Sequence, residues 1–272
     1  MLEKLNLDGK VALVTGGGTG LGREMALAMA RAGADIVIAG RRPGPLEETA
    51  QKVRETGMRA LALSADVTDL SQVASLVSRA TETFGHIDIL INNAGYPAQQ
   101  QYAIWDVSDE EWHAGIEANL SSAFYCSRAL AKQMVQRGRG RIINISSGAG
   151  IRSLRDNYMY SVGKAGLVAF TKALAMSLGR FGVTSNCIVP GSVPTKSRDA
   201  AEGAPPPARN VPVGRVGLPQ EIGPLAVFLA SDASDYMNGQ TFFLDGGAFA
   251  GGVTPTGYIR EAPSLGGAKE QT

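Results

Sequence analysis

Short runs of apolar and β-branched residues alternate along the chain with longer stretches whose apolar positions recur every three to four residues. These two periods separate buried strands from amphipathic helices. The first kind predicts strands at residues 11–15, 36–39, 60–65, 87–91, 141–146, 184–189 and 241–244. The second predicts helices at residues 21–32, 45–56, 71–84, 109–136, 158–180 and 220–230. Gly33, Gly57 and Gly85 stand where the first three helices should stop, as C-terminal caps do. Near-continuous apolar strands separated by helices mark a parallel sheet covered on both faces, so the chain reads as α/β, a doubly wound seven-stranded parallel sheet in a single domain.

Composition narrows the function without naming it. The 272 residues show no compositional break that would divide them. Lysine and arginine number 26 against 25 acids, which leaves no basic field for a nucleic-acid partner. Cys126 and Cys187 lie in apolar surroundings without metal-ligand spacing, and read as buried reduced thiols. The first ten residues carry charges and no apolar run, and no window approaches the roughly 18 apolar residues of a membrane span, so no membrane partner and a cytoplasmic location are expected.

In a sheet wound this way ligands bind beyond the carboxyl ends of the strands, where the winding direction switches. The loop after the first strand reads Gly16-Gly17-Gly18-Thr19-Gly20-Leu21-Gly22 and opens a helix. Glycines admit dihedrals closed to other residues, and the helix start turns its free N–H groups and positive dipole end towards an anion. Such a junction suits the pyrophosphate of a dinucleotide in a Rossmann-type fold. Its spacing, T-G-x-x-x-G-x-G, is not the commoner G-x-G-x-x-G. Taken alone, a glycine cluster in a chain with 34 glycines also reads as a plain loop.

Three further clusters follow later strands. They are Asn92-Asn93-Ala94-Gly95, then Asn144-Ile145-Ser146-Ser147, and, thirteen residues beyond Ser147, Tyr160-Ser161-Val162-Gly163-Lys164. Side chains four apart on a helix share a face, so the Lys164 ammonium would lie near the Tyr160 phenol. That charge would move a phenol pKa of about 10 towards the working pH and make Tyr160 an acid/base. The alternative is a packed tyrosine beside a solvated lysine, against which stands Ser147 at a strand end within reach of the same point.

Together with the glycine turn and Pro190-Gly191, these motifs resemble the short-chain dehydrogenase/reductase family over nearly the whole chain, from Leu7 to Gly247. The resemblance implies that Tyr160 gives a proton to a carbonyl oxygen, or takes one from an alcohol, while Ser147 holds and polarises that oxygen. It implies that Lys164 also binds the nicotinamide ribose and that Asn119 positions a water behind the lysine. Ser146 and Tyr158 fall off the family spacing. Hydride chemistry on a nicotinamide needs no metal, and His86 and His113 are isolated.

By the same resemblance, Gly16, Gly18, Thr19, Gly20, Leu21 and Gly22 surround the pyrophosphate, and Asp66 and Val67 flank the adenine. Asn93, Ala94 and Gly95 lie beside the adenosine ribose, and Pro190, Gly191, Val193 and Thr195 border the carboxamide. Asp88 reads as a structural residue. The second strand ends in Gly40-Arg41-Arg42 without an acid. Two guanidiniums suit a 2′-phosphate, which predicts NADP(H) over NAD(H). The alternative is a solvated pair opening a loop, and Thr19 supplies no basic residue to decide it.

Residues 1–247 form the expected dinucleotide-binding catalytic domain, with a substrate lid at about 195–211. The lid holds three consecutive prolines and almost no large apolar residue, which sits poorly with a large hydrophobic substrate. Arg152 and Arg155 either face the pocket mouth and favour an anionic or carrier-linked substrate, or are solvated loop charges. The loop 96–102 forms another wall. Residues 214–222 and the Asp245-Gly246-Gly247 ending bring the chain nearest to 3-oxoacyl-(acyl-carrier-protein) reductases, with sugar, polyol and small cyclic ketone dehydrogenases as alternatives. A non-catalytic NADP(H) sensor is the reading from another class, and retention of Asn119, Ser147, Tyr160 and Lys164 argues against it. Residues 248–272 form an extension, expected to pack at 249–259 on a neighbouring protomer and to be loose over the last ten residues. The resemblance also implies a homotetramer built on the helices at 109–136 and 158–180.

Overall fold

A computed structural model describes residues 2–96, 103–194, 208 and 211–251. The strands are β1 (Val11–Thr15), β2 (Asp35–Gly40), β3 (Ala60–Ser64), β4 (Ile89–Asn92), β5 (Gly140–Ile145), β6 (Val183–Pro190) and β7 (Thr241–Leu244). All pair in parallel in the order β3-β2-β1-β4-β5-β6-β7. The winding therefore reverses between β1 and β4, and the loops after these two strands face each other across the switch point. This is the predicted Rossmann-type sheet.

The helices are α1 (Gly20–Arg31), α2 (Pro43–Arg54), α3 (Leu70–Phe84), α4 (Asp109–Ile116), α5 (Ser122–Gln136), α6 (Tyr158–Leu178) and α7 (Ile222–Ala230). Because strand side chains alternate between faces, Ala12 and Val14 of β1 join Met25, Met29, Leu46, Ile222 and Leu229 of α1, α2 and α7 in one core. Val11 and Leu13 join Val73, Leu76, Cys126, Leu130 and Met134 of α3 and α5 in the other. Both cysteines are buried free thiols, pushed up by burial to about 12 at Cys126 and about 11 at Cys187.

Gly33 and Gly85 stop their helices in positive-φ conformations, at +102° and +83°, and Gly57 does so three residues past the end of α2. Most predicted ends agree within one or two residues, the scatter expected of frayed termini. One prediction is corrected. The helix expected to run unbroken from 109 to 136 is interrupted by a π-helical stretch, Glu117–Ser121. A hydrophobic period records which face is apolar but not a local widening of the turn, and π stretches of this kind concentrate at functional sites. The helix expected over 158–180 ends at Leu178 and closes through a short 3-10 turn, Gly179–Phe181. That expected over 220–230 begins as a 3-10 turn, Pro219–Glu221. There Glu221 takes a bidentate pair from Arg215 and the Leu218 N–H, and is held down to about 2. Among the described residues no helix is long and apolar enough to cross a membrane.

Candidate active site

The glycine turn leaves β1 under close steric control. Gly16 and Gly20 hold φ of +65° and +55°. A Cβ on Gly22 would lie 2.4 Å from the Gly16 carbonyl oxygen and 2.5 Å from Asn93 Nδ2, so no larger residue fits. Thr15 Oγ1 donates to the Ile91 carbonyl and accepts the N–H groups of Asn93 and Ala94, both at 3.0 Å. Asn93 Nδ2 donates in turn to the Thr15 and Gly16 carbonyls. The Asn93 side chain thus ties the loop after β4 to the glycine turn. Above it, α1 begins with no side-chain cap on Thr19 and no acid in its first turn. The uncapped N–H groups fit the phosphate site expected here.

Beside this turn, Arg42 Nη2 reaches Thr19 Oγ1 at 3.5 Å, while Arg41 is exposed and its carbonyl accepts from Ser64 Oγ. One guanidinium therefore touches the glycine turn itself, where a phosphate group could meet it. The Asp66 carboxylate is occupied by the Thr68 N–H and hydroxyl, and Val67 is buried in the second core. Any contact to an adenine from this pair would fall to the free Asp66 Oδ2 or to backbone groups.

Three of the catalytic candidates, Asn119, Tyr160 and Lys164, come together beside the end of β5. Lys164 is 5% exposed, and its Nζ donates to the Ile145 carbonyl at 2.9 Å. Burial lowers its pKa to about 8, with the nearby Cys187 sulfur opposing part of the shift. The same Nζ lies 5.8 Å from the centroid of the Tyr160 ring. Asn119 is held at both ends, accepting the Tyr96 N–H at Oδ1 and donating to the Gly115 carbonyl from Nδ2, each at 3.0 Å. A Cβ on Gly95 would lie 3.0 Å from Asn119 Oδ1 and 3.2 Å from Lys164 Nζ, which puts both polar ends on one side of Gly95.

Glycines make this approach possible. A Cβ on Gly163 would lie 2.7 Å from Asn119 Cβ, one on Gly166 2.7 Å from Leu120 Cδ2, and one on Gly115 2.4 Å from Met159 Cβ. The backbone of α6 therefore rests directly on α4 and the π stretch. A buried rail holds α6 from the sheet side. Asn92 Nδ2 donates to Ser127 Oγ and Asn144 Oδ1, Asn144 Nδ2 to Thr171 Oγ1, and Thr171 Oγ1 to the Leu167 carbonyl. Sequence reasoning missed the rail and the seam. Isolated glycines inside helical patterns were the available signal for the seam.

Ser147 opens the loop after β5, with its Oγ accepting the Ala149 N–H at 3.2 Å. This loop docks on α6, since a Cβ on Gly150 would lie 2.5 Å from the Lys164 carbonyl carbon. Ser146, one residue earlier, is buried and donates to the Lys164 carbonyl at 2.7 Å, a structural use. Tyr158 turns its hydroxyl to Asp156. After β6, Gly191 abuts Asp245, and Val193 packs on Gly217. Thr195 lies outside the described residues, as do residues 97–102 and, apart from 208 and 211, the lid at 195–211.

Phe249, in the segment expected to pack on a neighbouring protomer, makes contacts within its own chain. Its N–H donates to Asp245 Oδ2, and its ring meets Phe243 at 5.7 Å and covers the Cα of Gly148, next to Ser147. Residues 252–272 lie outside the described residues.

Comparison with known proteins agrees with this geometry. The family model described as Enoyl-(Acyl carrier protein) reductase matches residues 16–248. The chain is 39% identical over 255 residues to a 2-dehydro-3-deoxy-D-gluconate 5-dehydrogenase of Dickeya dadantii, covering 92% of this chain and 99% of that one. It is 36% identical to a 3-oxoacyl-[acyl-carrier-protein] reductase of Escherichia coli, over 90% and 99% of the two chains. Among solved structures, a gluconate 5-dehydrogenase from Burkholderia cenocepacia, in complex with NADP and tartrate, superposes with a TM-score of 0.82 at 35% identity, covering 92% and 98%.

Proposed function

The chain belongs to the short-chain dehydrogenase/reductase family and acts as an oxidoreductase on CH–OH and C=O groups; from that premise we propose that it interconverts a ketone and a secondary alcohol with NADP(H), with Tyr160 as acid/base. When bound, the nicotinamide supplies or accepts the hydride. Tyr160 gives its phenolic proton to the carbonyl oxygen in reduction and takes it back in oxidation, and Ser147 holds that oxygen by a hydrogen bond. Lys164 places a positive charge behind the phenol and binds ribose hydroxyls. Asn119, anchored to Gly115 and Tyr96, orients a water behind the lysine. The observation that carries the reading is the meeting of Asn119 and Lys164 on one side of Gly95, with the Tyr160 ring 5.8 Å from the ammonium.

The glycine turn, with the loops after β3, β4 and β6, would seat the dinucleotide. For NADP(H), the support is Arg42 at Thr19 and exposed Arg41 beside it with no acid at the end of β2, together with a homologous gluconate 5-dehydrogenase solved with NADP. The substrate we favour is a small hydroxylated ketone, because the lid sequence offers almost no apolar anchor and the sugar-acid dehydrogenase shares 39% of its residues. A 3-oxoacyl thioester is the second reading, carried by the reductase at 36% identity. A homotetramer in the cytoplasm goes with this proposal. Phe124 of α5 and Val162 and Met176 of α6 are exposed on the helices that would meet.

Purified protein is assayed with NADPH and NADH against a keto sugar, a cyclic diketone and a 3-oxoacyl thioester. The expected result is reduction of the keto sugar with the higher kcat/KM for NADPH. Arg41→Asp erodes that preference by roughly 10-fold or more, the scale of one charged hydrogen bond. A higher kcat/KM with NADH overturns the cofactor assignment.

A further inference from the structure

Arg152 and Phe249 form a feature that the proposed chemistry leaves unused. The Arg152 guanidinium lies over the Phe249 ring, 4.8 Å from its centroid. That ring rests on Gly148, where a Cβ would come within 2.7 Å of Cε2 and Cζ. The segment carrying Phe249 is itself fastened. Asp245 accepts the N–H groups of Gly247 and Phe249, Phe249 packs on Phe243, and the Gly246 carbonyl accepts the Val213 N–H. An arginine on a mobile loop would lose much side-chain entropy on gripping a ligand, whereas one stacked on an anchored ring has less to lose. Arg152 is exposed and has no carboxylate partner among the described residues, while its neighbour Arg155 is paired with Asp156 at 3.3 Å. The guanidinium therefore stands unneutralised on a platform adjoining Ser147.

We propose that Arg152, held on Phe249, is a specificity-determining residue that binds the carboxylate of the substrate, so that the enzyme acts on oxo acids and their hydroxy-acid partners. The inference rests on the ketone-reduction reading above and adds the charge of the substrate to it. Guanidinium and carboxylate match in bidentate geometry. Bound there, the acid group places the rest of the molecule towards Ser147 and Tyr160, and neither Arg152 nor Phe249 takes part in proton transfer.

The test uses the full chain with saturating NADPH and matched ketones: 5-oxo-D-gluconate against neutral D-fructose, and 3-oxobutanoate and 4-oxopentanoate each against its methyl ester. The expected result is a preference for the acid in the matched pairs. Arg152→Met should lower kcat/KM for the acid roughly 10- to 100-fold, mainly through KM, and leave the neutral member within about twofold, since a charged hydrogen bond of this kind acts as uniform binding. Arg152→Lys should keep part of the preference, and Phe249→Leu should weaken it several-fold. A measurement that needs no variant is the wild-type acid-to-neutral ratio, which should fall as salt is added. Equal losses on both members of a pair, or a wild-type enzyme that reduces neutral ketones but not the acids, overturns the role of Arg152 and leaves ketone reduction standing. Failure to reduce any ketone with either cofactor removes both.

Discussion

At the amino end of the sheet, buried Asp88 accepts the Val11 N–H and the Arg137 guanidinium, each at 2.9 Å, and lies 3.1 Å from His86 Nε2, while Arg139 and Arg141 pair with Asp232 and Asp235. At the carboxyl end, the one buried charge among the described residues is Lys164, which donates to a neutral carbonyl, that of Ile145. Both ends belong to the same strands and the same cores. They differ in what the charges are for. Paired charges at the amino end join β1, β4 and β5 to α5 and the turn after α7, and nothing about them invites a ligand. The lone ammonium at the carboxyl end is destabilised by its own burial, and for that reason its proton affinity falls to about 8, where it can respond to chemistry beside it.

Substitutions can break this contrast, the largest effect first. Tyr160→Phe removes the proposed proton donor without touching either core. It should lower kcat by roughly 10²- to 10⁴-fold while NADPH affinity, read by fluorescence titration, changes little. Undiminished turnover would end the assignment of Tyr160. Asp88→Ala should do the reverse. It leaves the buried Val11 N–H without an acceptor and cuts the Arg137 pair, so denaturant unfolding should show a loss of about 3 kcal/mol, with kcat unchanged below the melting range.

Lys164→Met tests the sign of the carboxyl-end charge. The folded pKa of about 8 lies below the ordinary 10.5, so between these values the unfolded chain binds the extra proton and wild-type stability rises with pH. Below pH 8 the full penalty applies, up to roughly 3 kcal/mol for a shift of this size. Without cofactor, the variant should therefore be inactive yet more stable than wild type at pH 7. That gap should narrow as pH climbs from 8 to 10.5, and a gap independent of pH would contradict it. Gly163→Ala sharpens the comparison most gently. A methyl 2.7 Å from Asn119 Cβ pushes α6 off the π stretch, and a displacement of this order should reduce kcat by up to about 10²-fold. A kcat within twofold of wild type would show that the seam tolerates the methyl.

Much of this was legible beforehand because it is local. Gly16, Gly20 and Gly22 sit where a turn demands glycine, the strands are apolar on both faces because both are covered, and Tyr160 and Lys164 lie four apart on one helix. Asp88 was read as structural and is. Other features were hidden because they depend on partners distant in the chain. Nothing near Gly148 announces that Phe249 will cover it 101 residues later. Nor does the apolar period at 109–136 reveal the π stretch that carries Asn119.

By itself, the order of residues along the chain determined the α/β class, the glycine turn and the types of group available for chemistry, since backbone dihedrals and side-chain period are properties of neighbours. Only the tertiary structure decided that Lys164 would be stripped of water, that Asn119 would reach the same side of Gly95, and that Arg152 would be lifted onto an anchored ring beside Ser147. Burial, desolvation and close approach are set by what other segments bring to a point, and that is known only when the sheet has closed and its helices have packed.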